Sequence, residues 1–296
     1  MQQILGAVAS AGKKATILFV CTMVCVMFHT SCSNDDHEGE FDVNINPPQG
    51  MRDTTVVISF VPRYQITPMT RAAISDAASR LDMWIYDGDT EVADVHQSSS
   101  EDGFGSVSLT LEKTKTYTVY AMAHKGDGAA TLSDGVISFT DDKVRDTFWY
   151  TATFSPSESA TITAVMCRIV AQFRLMITDD IPEEVKKMRI TVGSVYDRWN
   201  VSGSGVHQID RISTVSYGGT SKNFSVYAIV SDEQTLHQVT VEALDASDGV
   251  VQSRSFSDVP LKNNFKTVYS GRFFTNTMMS LSFTTEDWNE YDAVTF

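Results

Sequence analysis

From residue 54 onward, short segments rich in Val, Ile, Thr, Tyr and Phe alternate apolar and polar positions, over 54–61, 81–86, 106–111, 116–123, 136–139 and 148–154. A second set follows over 160–177, 188–192, 224–230, 239–244, 250–256, 265–274 and 279–283. Turn-forming runs separate them, among them Asp87-Gly88-Asp89, Asp102-Gly103 and Ser247-Asp248-Gly249. Alternation at period two puts one face of each segment on a core and the other in water, which predicts antiparallel sheets packed as sandwiches. Helical periodicity is sparse. Residues 74–81 predict one short helix with Ser75 as a cap, and 182–187 a turn or two, with Pro182 first and acids ahead of bases. Neither run is long enough to organise a Rossmann fold or an α/β barrel, and the chain reads as all-β.

The polar stretch Ser155-Pro156-Ser157-Glu158-Ser159 lies between strong strands and predicts a boundary. It divides an N-terminal sandwich domain, 51–155, from a C-terminal one, 160–296. Residues 160–177 exceed an ordinary strand of about six residues, so they predict two strands, or one bent strand, opening the second domain. Residues 196–221 read as an extended surface excursion.

The first 31 residues stand apart from this pattern. Lys13 and Lys14 precede an apolar stretch, 15–28, interrupted only by Thr16 and Thr22. At about ten to fifteen residues, that stretch has the size of a signal-peptide core and is too short for a membrane span. It ends in Phe28-His29-Thr30-Ser31-Cys32, similar to a bacterial lipobox, with His29 where an apolar residue is usual. Residues 1–31 are therefore expected to be a lipoprotein signal peptide and Cys32 the lipidated residue; the other reading is an ordinary secretory signal. Residues 32–50 begin Cys-Ser-Asn-Asp-Asp-His-Glu-Gly-Glu and have no apolar side chain between Cys32 and Phe41, which predicts a solvated acidic tether. The tether also resembles the acidic export signal of Bacteroidales surface lipoproteins. The expected address is the cell outer membrane, lipid-anchored and surface-exposed.

Composition narrows the partners. Hydrophobic residues make up 42% and charged residues 20%, enough to bury a core. Lys and Arg total 23 against 37 Asp and Glu, a net charge of −14 that loss of two lysines with residues 1–31 would take to −16. Such a surface repels phosphate backbones, so no nucleic-acid partner is expected. Cys21 and Cys25 leave with the signal and Cys32 takes lipid, so Cys167 remains alone and no internal disulfide is expected. Its context, Ala164-Val165-Met166-Cys167-Arg168-Ile169-Val170, predicts a buried, inert thiol.

The sequence announces no catalytic or cofactor chemistry. His37, His96, His124, His207 and His237 are scattered, with no H-x-H or H-E-x-x-H spacing for zinc, and are expected at the surface or at strand ends. There is no G-x-S-x-G elbow and no phosphate-binding glycine loop. The pairs Asp35-Asp36, Asp141-Asp142, Asp179-Asp180 and Glu286-Asp287, and the loop Asp87-Gly88-Asp89, could supply carboxylates for calcium or glycoside hydrolysis. They read instead as solvated turns. Trp84, Tyr86, Trp149, Tyr150 and Trp199 could form a sugar platform, but Trp84 and Trp149 sit in strand-like runs and read as core. No enzyme, no metal site and no cofactor is expected.

Several motifs in order resemble the fimbrillin-like proteins of Bacteroidales type V pili, including the related fimbrial anchor proteins. The lipobox cysteine and acidic tether precede a first β segment and then Thr70-Arg71-Ala72. Leu81-Asp82-Met83-Trp84-Ile85-Tyr86-Asp87 is similar to that family's early strand, and Tyr117-Thr118-Val119-Tyr120-Ala121-Met122-Ala123 to a later one. Cys167-Arg168-Ile169-Val170-Ala171-Gln172-Phe173 resembles the start of its second domain. Asn264-Phe265-Lys266-Thr267-Val268-Tyr269-Ser270-Gly271 resembles an N-x-x-T-x-x-x-G segment, with Trp288 after it. The resemblance implies two tandem transthyretin-like antiparallel β-sandwich domains, outer-membrane lipidation and a place in a fimbrium, as stalk subunit, tip subunit or anchor. It also implies that an Arg-directed protease removes the first strand from stalk subunits and that another subunit's strand fills the groove. The strand would here be 54–61 and the cut between Arg71 and Ala72. Other fimbrial subunits, outer-membrane lipid and a host or bacterial surface receptor are then the expected partners. The alternative is a surface glycan-binding lipoprotein.

Overall fold

The computed structural model describes residues 53–62, 74–141, 143–156, 161–275 and 280–284, most of them in strands. The first half holds β1 (Asp53–Pro62), a single helical turn α1 (Ile74–Ala77), β2 (Arg80–Asp87), β3 (Thr90–Ser98), β4 (Ser106–Glu112) and β5 (Tyr117–His124). A short hairpin, β6 (Ala130–Ser133) and β7 (Val136–Phe139), precedes β8 (Thr147–Phe154) and β9 (Thr161–Arg168). The second half runs through β10 (Val170–Ile177), β11 (Lys187–Asn200), β12 (Ser204–Ser216) and β13 (Asn223–Ile229). It closes with β14 (Thr235–Leu244), β15 (Val250–Leu261), β16 (Lys266–Gly271) and β17 (Ser280–Thr284).

One seven-stranded sheet has the order β3-β2-β5-β8-β9-β1-β4. β9 pairs with β1 from Thr161 to Met166 but with β8 only at Cys167 and Arg168, so the sheet turns at this strand. Val56, Ile58, Phe60, Val107, Leu111, Ala164 and Met166 on one side then meet Leu81, Met83, Ile85, Val119, Ala121 and Phe148 on the other in one buried cluster. That is a sandwich built from alternate positions of each strand.

The ten-stranded sheet repeats the device. Its main path is β15-β14-β11-β13-β10-β16-β17, with β12 added on β11. β11 pairs with β14 through Lys187–Val192, then passes a bulge before Val195 and meets β13 only at Tyr196. Ala171, Phe173, Leu175, Val226 and Tyr269 pack against Met188, Ile190, Val192, Val239, Val241 and Val259. The expected two β-sandwiches in tandem are present. Their pairing is antiparallel except at β1–β9 and β10–β16, where strands that come from different ends of each sandwich run parallel.

The strand expected to open the second domain does not belong to it. β9 completes the first sheet, and Ile169 is where the chain passes to the second. The β6–β7 hairpin, although early in sequence, pairs with Trp199 and Asn200 of β11. Between the sandwiches a third cluster buries Trp84, Met122, Trp149, Ile169, Val170, Trp199 and Ile229. From Pro47 onward the chain forms one compact unit.

Candidate functional site: the first strand and its groove

β1 is threaded between two neighbours, antiparallel to β4 and parallel to β9. Its alternation sends Val56, Ile58 and Phe60 into the core, the first two fully buried, while Val57 and Val61 lie on the outer face, partly covered. Phe60 meets Tyr150 edge-on, with ring centroids 6.2 Å apart. The Phe60 amide donates to Gly105 O at 2.8 Å beyond the end of the β4 ladder. Gly105 has φ +86° and its missing Cβ would stand 2.2 Å from Ile74 Cγ2, so only glycine lets α1 close this end of the groove. Each side chain of this size buried completely stabilises by about 1.5–3 kcal/mol. Taking β1 away would therefore leave two unpaired edges and three open apolar pockets, a receptor for an extended segment of matching alternation.

Cys32, Arg71 and Ala72 lie outside the described residues, as do Trp288 and the Asp35-Asp36 and Glu286-Asp287 pairs. The residue range that carries Arg71 and Ala72 connects the end of β1 to α1.

Two motifs joined only by resemblance in the sequence meet in space. Arg168 Nε and Nη2 donate to Asp146 Oδ1 and Oδ2 at 2.7 and 3.2 Å, and its Nη1 reaches Asn264 Oδ1 at 3.4 Å. The guanidinium lies 4.6 Å from the Phe148 ring centroid. Asn264, with φ +62°, donates its amide to Val170 O at 2.8 Å. Fork geometry, ring stacking and burial of both charges make this a structural node at the crossing from β9 to β10.

The histidines are less dispersed than their spacing suggests. Asp82, fully buried, accepts from the Ala130 amide at 2.9 Å and from His124 Nε2 at 3.0 Å, and His96 Nδ1 lies 2.7 Å away. His124 Nδ1 accepts from the Gly126 amide, so its proton sits on Nε2, facing Asp82. Ser79 Oγ donates to Gly126 O at 2.8 Å. The cluster pins the loop between β5 and β6 and offers no hydroxyl or thiol to the imidazoles. Among the described residues, no three His, Cys, Asp or Glu side chains are placed to hold a metal ion.

The remaining acidic candidates do structural work. Asp179 accepts from the amides of Phe273, Phe274 and Thr275 at 2.8–3.0 Å. Partial burial works to raise its carboxyl, but those three amides outweigh it and hold the group below its ordinary value of 3.8. Asp87 pairs with Lys115 and Asp141 with Arg145. Trp84, Trp149 and Trp199 are buried between the sandwiches and form no exposed platform. Tyr86 donates its hydroxyl to Glu91, and burial together with that carboxylate pushes the phenol up to about 12.

Cys167 corrects one expectation: it is exposed. β9 alternates strictly, with Ala164, Met166 and Arg168 inward and Thr163, Val165 and Cys167 outward. Of its apolar sequence neighbours, Ala164, Met166 and Ile169 are buried, while Val165 shares its outward face.

In fold, the chain is similar to the crystal structure of a protein described as a candidate adhesin from Bacteroides ovatus, 13% identical, covering 79% of this chain and 97% of that one at TM-score 0.51. It is also similar to a structure of candidate polysaccharide-binding proteins (DUF1812) from Bacteroides thetaiotaomicron, 10% identical, covering 77% and 95% at TM-score 0.50. The fimbrial anchor protein Mfa2 from Porphyromonas gingivalis aligns at 10% identity over 77% and 94% with TM-score 0.46. At such identities the likeness is one of fold. Comparison with curated proteins finds no match. The family of unknown function DUF6562 matches residues 48–293, and the chain belongs to that family.

Proposed function

We propose that this protein is a surface lipoprotein, anchored through Cys32, that serves as a fimbrial subunit or anchor in pilus assembly and cell adhesion. The observation that carries the reading is the placement of β1. It is an interior strand with a buried face of Val56, Ile58 and Phe60, and it lies between a lipobox-like cysteine and an arginine-bearing connection. A cut between Arg71 and Ala72 would detach β1 from the rest of the chain, so that the strand is held only by ladder bonds and side-chain pockets. It would also separate the sandwiches from the lipid, making anchoring and polymerisation alternative fates. The fold shared with a protein described as a candidate adhesin supports the same direction.

N-terminal sequencing of the protein recovered from the cell surface tests the reading, together with Arg71→Ala. A chain beginning at Ala72, and lost in the variant, supports a stalk or tip subunit. A chain beginning at a lipidated Cys32 in both supports the anchor. A non-acylated chain beginning anywhere else contradicts both. Cys32→Ala is expected to abolish labelling by a fatty-acid probe, and undiminished label would remove lipid anchoring from the account. The glycan-binding alternative shares the fold of the polysaccharide-binding candidates. The three tryptophans that would have served it are buried.

A further inference from the structure

The sheet formed by β13, β10, β16 and β17 turns one face to its own core and the other away from it. Phe173, Leu175, Thr267 and Tyr269 point inward, so register places Gln172 beside Lys266, Arg174 beside Val268 and Met176 beside Ser270 on the outer face. The end of that face nearest the first sandwich, at Val170, Tyr227 and Ile229, packs into the cluster between the sandwiches. The rest lies beyond it, yet Val268 is only 4% exposed and Ser270 only 9%. The described elements in substantial contact with β16 are its sheet neighbours β10 and β17, and β15. An outward valine in a sheet open to water keeps far more of its surface, so this burial asks for a cover.

Two features say what the cover is. The first is charge. Arg174 and Lys266 stand on this face, and burial, with Arg174 and Arg168 nearby, lowers the Lys266 ammonium below its ordinary value, Asp146 opposing. Two cations held together on a partly buried face favour an anionic partner. The second is chain exit. Thr284, the last residue of β17, pairs with Lys266, so the chain leaves the sheet at the cationic end of the face. The segment that follows, Thr-Glu-Asp-Trp-Asn-Glu-Tyr-Asp-Ala-Val-Thr-Phe, carries Glu286, Asp287, Glu290 and Asp292 with no base, interleaved with Trp288, Tyr291, Val294 and Phe296. Extended, twelve such residues reach about 40 Å, while crossing this sheet takes about 15 Å.

We propose that the outer face of β10 and β16 is a docking surface for the chain's own C-terminal segment, residues 285–296, its carboxylates meeting Arg174 and Lys266 and its aromatic side chains covering Val268. The inference is independent of the assembly role proposed above.

The test reads acetylation of Lys266 by mass spectrometry, with exposed Lys113 as internal reference. It compares the whole chain, a chain ended at Thr284, and a full-length chain carrying Glu286→Gln, Asp287→Asn, Glu290→Gln and Asp292→Asn. Lys266 relative to Lys113 should react about tenfold faster in the shortened chain, and faster by a smaller factor in the neutralised one. A synthetic peptide of residues 285–296 should restore protection to the shortened chain. The neutralised chain keeps every apolar side chain, so it decides the matter should the shortened one fail to fold. Equal rates in the whole and altered chains would overturn the proposal. So would protection of the whole chain that disappears on dilution, since a second copy would then be the cover.

Discussion

At Arg168 a cation occupies an inward position of β9, and its strand neighbours there are Ala164 and Met166. Both members of its pair with Asp146 are almost wholly buried. Removing one would leave the other desolvated and unpaired, which costs about 3–5 kcal/mol. Arg168→Met should therefore lower unfolding free energy by that amount in urea titration, and adding Asp146→Leu should recover most of it. The motif around Arg168 was visible in the sequence, but its partners were not: Asp146 lies 22 residues away and Asn264 96 residues away. Asp179 supplies a pH-dependent contribution. Its carboxyl is held below its unfolded value, so the stabilisation is present above pH 4 and is lost as pH falls through the folded value. Asp179→Asn should cost about 1 kcal/mol at pH 7, a figure reduced for solvent exposure, and almost nothing at pH 2. A gap of the same size at both pH values would show that the amides do not act through the charge.

Among the elements, those with a face on the core were the legible ones. β1, β4, β5 and β8 agree with the alternating segments within a residue or two. β3 and β12 did not announce themselves. β3 is paired on one side only, to β2, and its exposed positions include Thr90, Glu91 and Val92, so no apolar period was needed. β12 is likewise an added edge on β11. With the far half of β11 it forms a long hairpin whose residues past the bulge run into the junction: Asp197 and Trp199 are buried and Asn200 pairs with β7. Gly205 belongs to this hairpin by close packing: a Cβ there would stand 2.7 Å from the Tyr196 ring. What appeared to be a surface excursion is thus paired strand. For β1, Ile58→Ala should destabilise by about 2–5 kcal/mol through the cavity left in the core, and Val57→Thr by less than about 1 kcal/mol. Denaturant midpoints check the pair; equal costs would mean the inner face of β1 is not the one that binds.

For the whole molecule, the cluster around Trp84, Trp149 and Trp199 is what sequence reasoning could not assemble, because its members come from both halves and from the β6–β7 hairpin. Strands β2, β5 and β8 are buried on two faces at this junction, so burial runs unbroken through Leu81–Ile85 and Ala121–His124, where the alternating pattern predicts one face in water. Trp149 and Trp199 meet with ring centroids 6.3 Å apart. Trp199→Ala should cost about 3–5 kcal/mol and split a single calorimetric transition into two, as the sandwiches lose their common core. One transition with an unchanged midpoint would make the junction dispensable. We place the domain division at Ile169, so that β9 goes with the first sandwich. The central claim remains that β1 is a replaceable strand. It is tested most directly by cutting the purified protein with an Arg-specific protease and offering a fluorescent peptide of residues 53–62. The cleaved protein should take up the peptide while releasing its own first strand, and the uncut protein should not. Absence of uptake by cleaved protein that is still folded, or equal uptake by both, would contradict the claim.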